Sequence, residues 1–160
     1  MTQKEIILEQ MASCRSRKDW FTPLSDALSG LTDEQSKQHD GSNHSIISIV
    51  NHLIFWDERW LKRFKNEEVP KLDADNNATF SPEYGDLVPA IMKLDNVLEE
   101  WENELKKRDD ALLMNEAFKG YGAIWYAALT QFTIHNAYHI GQIVTLRKQY
   151  GNWDPKLGAG

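Results

Sequence analysis

One long segment near the C-terminal end of the chain carries no charged side chain. From Gly122 to Thr145 there is no Lys, Arg, Asp or Glu. A helix without a charged face is predicted to be buried on most sides, either inside a helical bundle or against a second subunit. The segment is long enough to suggest a membrane span. That interpretation is disfavoured because five of its polar groups would be costly to bury in lipid, namely Gln131, His135, Asn136, His139 and Gln142.

The first third of the chain also has a helical pattern. Thr2 followed by Glu5 forms a capping box, which predicts a first helix. Residues 20–31 predict a short additional helix with Pro23 in its first turn. No stretch alternates convincingly between apolar and polar residues, so strands are not expected.

Three longer helices complete the pattern. They are predicted over residues 45–65, from Ser81-Pro82-Glu83 to about residue 107, and from residue 122 to a stop at Gly151. Together with the first helix they predict an all-α four-helix bundle with a short extra N-terminal helix. With 160 residues, the chain is expected to form a single domain over residues 1–160.

Charge and cysteine content exclude several classes of protein. The net charge is −6 and no basic run occurs, so nonspecific nucleic-acid binding is not expected. Cys14 is the single cysteine, which excludes an intrachain disulfide framework and a zinc site with several cysteines. The N-terminal residues lack the apolar core of a signal peptide, so a cytoplasmic location without membrane association is expected.

Two histidines of the last predicted helix are spaced four residues apart. His135 and His139 therefore lie about 40° apart around the helix axis, and their side chains project together, as two ligands of one cation require. Ile124, Ala128 and Leu146 share this side, which indicates that it faces the core. Imidazoles that face a core need partners, and either a metal ion or hydrogen bonds within the core would satisfy them.

A third histidine could complete a metal site. His52 lies in the predicted helix 45–65, and with the other two it would form a three-nitrogen site with open positions, as in catalytic centres. Two alternatives remain: His52 lies at the rim, or an Asp or Glu of the third long helix replaces it. His39 and His44 are expected to face solvent. Because imidazole binds metal only when neutral, metal release is expected as the pH falls through the imidazole range.

Three residues near these histidines are candidates for substrate contact. Gln142 lies about 20° from His135 on the helical wheel, and Tyr138 is near the same face. Trp56 follows His52 by one helical turn. The structural alternatives are that Gln142 bonds a buried polar neighbour and that Trp56 packs in the core. No catalytic residue is assigned, and Cys14 is expected to be a buried hydrophobic residue, not a nucleophile.

Several motifs are typical of one known family. They are Asn43-His44-Ser45-Ile46, Asn51-His52-Leu53 with Trp56, and the run from His135 to Val144 followed by Arg147 and Gly151-Asn152-Trp153. This pattern resembles the DinB-like superfamily of bacterial four-helix proteins, which includes YfiT-like thiol transferases. The resemblance implies an up-down-down-up bundle that is often dimeric. It also implies a divalent metal ion, such as nickel or zinc, on His52, His135 and His139.

The resemblance also suggests an activity. Members of the family transfer thiols such as bacillithiol or mycothiol, others isomerise maleylpyruvate, and many have no known reaction. The leading hypothesis is a metal-dependent transferase that activates a low-molecular-weight thiol, with bacillithiol or a similar thiol as co-substrate. Trp56 and Trp60 would then line the site for a small-molecule electrophile. The alternatives are a metal-dependent hydrolase and a non-catalytic stress protein that binds metal or a small ligand.

A homodimer is expected because something must cover the uncharged side of the last helix. The residues opposite His135 are apolar or small: Tyr126, Thr133, Ala137, Ile140 and Val144. A second subunit could cover them across a two-fold axis. The competing interpretation is that the segment 20–31 covers them within the same chain.

Overall fold

The computed structural model describes residues 1–41, 44–73, 75–81 and 85–158. Over this part of the chain the fold is all-α, as predicted: it contains no strand, only an isolated bridge between Glu116 and Ile124. The same residues contain no helix that is long and apolar enough to cross a bilayer. The helices are α1 (Gln3–Arg15), α2 (Leu24–Leu28), α3 (Asp33–Ser36), α4 (Ile46–Phe64), α5 (Leu87–Lys107), α6 (Asp110–Leu113) and α7 (Trp125–Gln149), with 3-10 helices at Asn76–Phe80 and Pro155–Leu157.

Helices α4 and α5 run parallel to each other. Glu58 pairs with Lys93, and about two turns further along both helices Lys65 pairs with Glu100. Residue numbers therefore rise in the same direction along the two helices. The long connection from the end of α4 to the start of α5 makes this parallel arrangement possible.

Helix α1 runs antiparallel to α5. Arg15, at the end of α1, pairs with Asp95 at 2.7 Å, whereas Lys4, at the start, donates to the carbonyl oxygen of Arg108 just after α5. Since α5 is parallel to α4, α1 is also antiparallel to α4.

Helix α7 completes the bundle and runs antiparallel to α4. His52, in the first half of α4, lies beside His135 of α7, whereas Phe64 at the end of α4 contacts Trp125 at the start of α7. The four long helices therefore have the up-down-down-up order that the family resemblance implies.

The side of α7 opposite His135 is covered by the chain itself. Helices α1 and α2 pack against α7, and Cys14 Sγ lies 3.5 Å from the carbonyl oxygen of Thr133. Of the five residues predicted to face a second subunit, three are buried and two are partly buried: Thr133, Ile140, Val144, Tyr126 and Ala137. The competing interpretation is therefore right in part: α2 of the segment 20–31 covers this side together with α1, which it did not include, and the burial is not evidence for a dimer.

The end of α7 is fixed by a glycine and a buried arginine. Gly151 has a φ of 70°, and the Asn152 N–H bonds the Arg147 carbonyl, which together form a Schellman stop at the predicted position. The Arg147 side chain is buried and donates to the carbonyl oxygens of Ala27 and Ser29, each at 2.8 Å. Arg147 thus ties the end of α2 to the end of α7.

The third long helix starts later than the sequence predicts. It begins at Leu87, and Pro82 and Glu83 of the predicted start lie outside the described residues. The Leu87 N–H donates to Asp33 Oδ1 of α3 at 2.8 Å. A carboxylate that is distant in sequence thus caps α5, and a local pattern cannot reveal such a cap.

Candidate metal centre and adjoining cavity

Three histidines from two helices meet at one point in the bundle. His52 of α4 and His135 and His139 of α7 each offer a ring nitrogen, and these nitrogens lie within 4.8 Å of one another. His52 Nε2 and His135 Nε2 are 3.1 Å apart. Because α4 and α7 are antiparallel neighbours, His52 reaches the face on which the α7 pair projects.

The structure excludes the two alternatives that the sequence left open for His52. His52 is buried, with 2% of its surface exposed, so it is not a rim residue. Over the described residues, the group contains three imidazoles and no carboxylate. A carboxylate of α5 therefore does not replace His52 in this cluster.

The outer ring nitrogens of two histidines are held by oxygen atoms. His139 Nδ1 lies 2.7 Å from Gln142 Oε1, and His52 Nδ1 lies 2.6 Å from the hydroxyl oxygen of Thr79. An amide oxygen can only accept, so His139 Nδ1 carries the proton and its Nε2 carries a lone pair. Histidines that bind metals usually have their second nitrogen bonded in this way.

Burial keeps the cluster uncharged over a wide pH range. Desolvation, together with the charges of neighbouring histidines, lowers the pKa of His52 to about 3 and that of His135 to about 4. Desolvation also lowers the pKa of His139, although the hydrogen bond to Gln142 opposes this effect. Neutral imidazoles are the form that binds a metal ion.

These pKa values lower the pH at which a bound metal ion should be released. An ordinary imidazole takes up a proton at a pH of about 6.5, but protons compete for the folded site only below its own depressed pKa values. We expect the metal content to stay constant as the pH falls through 6.5, and the release to occur nearer the pKa of about 4 shown by His135. Elemental analysis after equilibration at each pH measures it.

The same shifts make the metal-free fold less stable in acid. Below a pH of about 6.5 the unfolded chain protonates these histidines, whereas the folded chain does not, so stability falls as the pH falls. Circular dichroism at each pH must therefore accompany the metal analysis. Half-release near pH 6.5 from protein that is still folded would contradict the expected shift.

A cavity of about 580 Å³ adjoins the three histidines. Its aromatic lining residues are Trp56, Trp60, Phe80, Tyr121, Phe132 and Tyr138. The exposed side chains of Gln131 and Tyr138 also line it, so the cavity reaches the surface. Small molecules bind in apolar cavities of this size that contain a few polar groups.

The chain matches the model of a known protein family. A family model described as DinB superfamily matches residues 22–143. The chain belongs to the DinB superfamily. No curated protein and no solved structure matches it. The part that matches the DinB superfamily contains all three histidines and all the residues that line the cavity.

The three candidate substrate residues all line the cavity of this DinB-superfamily protein. Trp56 is partly buried, and its Nε1 donates to Asn76 Oδ1 at 3.2 Å. Tyr138 is exposed, and its hydroxyl accepts from Gln142 Nε2 at 3.1 Å. Gln142 bonds both Tyr138 and His139, so it satisfies a buried polar neighbour, as the structural alternative proposed.

His44 does more than face solvent. It is exposed, as expected, but its ring stacks on Phe80 at 3.8 Å and it lines the same cavity. Phe80 in turn stacks on His52 at 3.9 Å. His44 is thus part of the cavity wall, whereas His39 remains exposed and outside it.

Sequence reasoning missed three residues of the site. Thr79 and Phe80 belong to the 3-10 helix between α4 and α5, a stretch that lies between two predicted helices. Asp57 lies inside α4 and lines the cavity, yet it is completely buried. An acidic residue on the buried side of a predicted amphipathic helix was the one available signal.

Proposed function

We propose that this protein binds a divalent metal ion through His52, His135 and His139 and transfers a low-molecular-weight thiol to an electrophile. The observation that carries the proposal is the convergence of three neutral imidazoles in the wall of an aromatic cavity. Three neutral nitrogens suit nickel and zinc, as well as copper and iron. The family resemblance favours nickel or zinc.

The proposed chemistry divides the work between the metal and the chain. A divalent cation at this site would lower the pKa of a coordinated thiol and so supply a thiolate near neutral pH. The aromatic side chains of Trp56, Trp60 and Tyr121 hold the apolar body of the electrophile. In the cavity the thiolate sulfur forms a bond to the electrophilic carbon as the bond from that carbon to the leaving group breaks. The leaving group then departs through the open side of the cavity.

The chain itself offers no competing thiol. Cys14 is buried between α1 and α7, and burial raises the pKa of its thiol to about 12. At neutral pH Cys14 is therefore protonated and inaccessible. A thiol from outside the chain, such as bacillithiol, is the nucleophile that this site can accept.

The cavity favours an enzyme over a protein that only stores or senses metal. A centre that only holds a metal ion would not need an aromatic chamber beside its ligands, whereas a transferase, or a protein that binds a small ligand, would. A hydrolase would use the same three histidines to activate water. The two reactions therefore have to be separated by assay.

The test begins with elemental analysis of the purified protein, followed by assays of the metal-loaded chain. Bacillithiol and chlorodinitrobenzene are the co-substrates: the thiol sulfur replaces chloride, and the thiol proton passes to the buffer. We expect turnover with the loaded protein. Metal-free protein and a His135→Ala variant are the controls, and cysteine and glutathione test thiol selectivity.

The outcomes separate the hypotheses. Thiol conjugation that depends on metal and on His135 supports the transferase. Ester hydrolysis with the same dependence, without conjugation, would replace it by a hydrolase. Stoichiometric metal without either reaction would leave the non-catalytic alternative.

We also propose a homodimer, supported by an apolar groove between α1 and α7. Its lining includes three exposed apolar side chains, Ile6, Trp20 and Ile134. Contiguous exposed apolar groups of this kind mark interaction surfaces.

Light scattering should give twice 18.5 kDa, and Ile134→Glu should give a monomer. Val88→Glu, at an exposed position on α5, should remain dimeric, and a monomeric wild type would reject the proposal.

A further inference from the structure

A threonine of the α4–α5 connection is hydrogen-bonded to one of the three histidines. Thr79 Oγ1 lies 2.6 Å from the carbonyl oxygen of Asn76 and 2.6 Å from His52 Nδ1. A hydroxyl has one proton, and a carbonyl can only accept, so the proton of Thr79 points to Asn76. Thr79 must then accept from His52, which requires the proton of His52 to be on Nδ1.

This sequence of donors and acceptors determines which nitrogen of His52 carries the lone pair. With Nδ1 protonated, the lone pair lies on Nε2, the atom that is 3.1 Å from His135 Nε2. The other tautomer would direct an N–H group into the cluster, where it could not bind a cation. The partner of the outer nitrogen thus decides whether the inner nitrogen can act as a ligand.

Thr79 belongs to a segment that also forms the cavity wall. Asn76 and Phe80 line the cavity, and Phe80 stacks on His52 at 3.9 Å. Asn76 accepts from the Trp56 indole. Thr79 itself is buried beneath this wall, with 6% of its surface exposed.

We propose that Thr79 is a positioning residue: its hydroxyl selects the His52 tautomer that can bind a cation and links the metal centre to the cavity wall formed by Asn76–Phe80. The inference rests on the proposed metal site, but the tautomer of His52 can be measured without metal. The inference predicts that a change in this segment that removes the hydrogen bond between Thr79 and His52 alters metal affinity.

The test compares Thr79→Val with Thr79→Ser. Valine has nearly the same shape but no hydroxyl, whereas serine retains the hydroxyl. In metal-free protein, long-range proton–nitrogen NMR correlations should show His52 protonated on Nδ1 in the wild type and the serine variant. In the valine variant, His52 should shift towards protonation on Nε2.

Zinc affinity provides the second measurement, by competition with a chelator. We expect the valine variant to bind Zn²⁺ about 10–100-fold more weakly, the range for loss of an outer-shell partner, and serine to restore the affinity. Wild-type His52 protonated on Nε2 would overturn the inference, even if the valine variant fails to fold. A folded valine variant with wild-type tautomer and affinity would also overturn it. A wild type that binds neither Zn²⁺ nor Ni²⁺ would instead refute the proposed function.

Discussion

Replacing His135 by alanine should abolish tight metal binding while leaving the fold intact. Of the three clustered histidines, His135 is the one that is only partly buried, so the truncation leaves a small cavity near the surface of the bundle. Two imidazoles would remain on a site that needs three. Loss of an outer-shell partner costs about 10–100-fold in affinity, and loss of a direct ligand should exceed this range. Chelator competition with Zn²⁺ and Ni²⁺ measures the change.

A histidine outside the cluster supplies the matched control. His39 is exposed and does not line the cavity, so His39→Ala should bind metal like the wild type. Circular dichroism should show the same helix content in both variants. Stoichiometric metal held by His135→Ala as tightly as by the wild type would contradict the proposed site.

The long helices could be predicted because their determinants are local. In α4, apolar residues at helical spacing form a stripe that is buried throughout: Ile47, Val50, Ile54, Leu61 and Phe64. The predicted capping box of α1 forms, with the Glu5 N–H donating to Thr2 Oγ1. Caps and apolar periodicity act within a few residues, so a single sequence contains them.

The errors occurred where distant residues determine the structure. The start of α5 depends on Asp33 of α3, and the cover of α7 depends on α1 and α2. Both contacts join segments that are far apart in sequence. A pattern of apolar residues indicates that a face is buried, but it does not indicate which element buries it.

The candidate site also contains residues that local spacing predicts and residues that only distant contacts bring in. The spacing of His135 and His139 predicts a shared direction, and His52 could be added because α4 is a facing helix. Thr79 and Phe80 could not be anticipated, since they reach His52 from a connection without periodic structure. The depressed pKa values of the cluster follow from burial by this connection and by the bundle.

The second large effect concerns a carboxyl group that is buried in the bundle. Asp57 has none of its surface exposed, and its Oδ1 accepts from Asn136 Nδ2 at 3.2 Å. Its Oδ2 is also buried and has no hydrogen-bond partner within the described part of the chain. Burial therefore raises the pKa of Asp57 well above its usual range, although the bond from Asn136 opposes the shift.

A raised carboxyl pKa makes the folded state less favourable as the pH rises. In the unfolded chain Asp57 ionises at a pH of about 3.9. Between that pH and its folded pKa, the folded chain holds a proton that the unfolded chain has lost. The free energy of unfolding should therefore fall by up to about 1.4 kcal/mol for each pH unit in this interval. A domain has a total stability of only about 5–15 kcal/mol, so the effect is large.

Asp57→Asn should remove this pH dependence. Asparagine keeps the size of the side chain and an oxygen that can accept from Asn136, but it does not ionise. Its amide nitrogen takes the place of Oδ2, and any cost of leaving it without a partner is the same at every pH. The stability of the variant relative to the wild type should therefore increase steadily as the pH rises.

Urea unfolding of metal-free protein between about pH 5 and about pH 8 measures this difference. The histidine cluster contributes equally to both proteins, so subtraction isolates Asp57. Asp73→Asn, at an exposed position after α4, is the matched control and should show no such trend. Parallel stability curves for the wild type and Asp57→Asn would show that the buried carboxyl titrates normally. A rising difference would show that the bundle retains a costly acidic group beside the cavity, as proteins do mainly at functional sites.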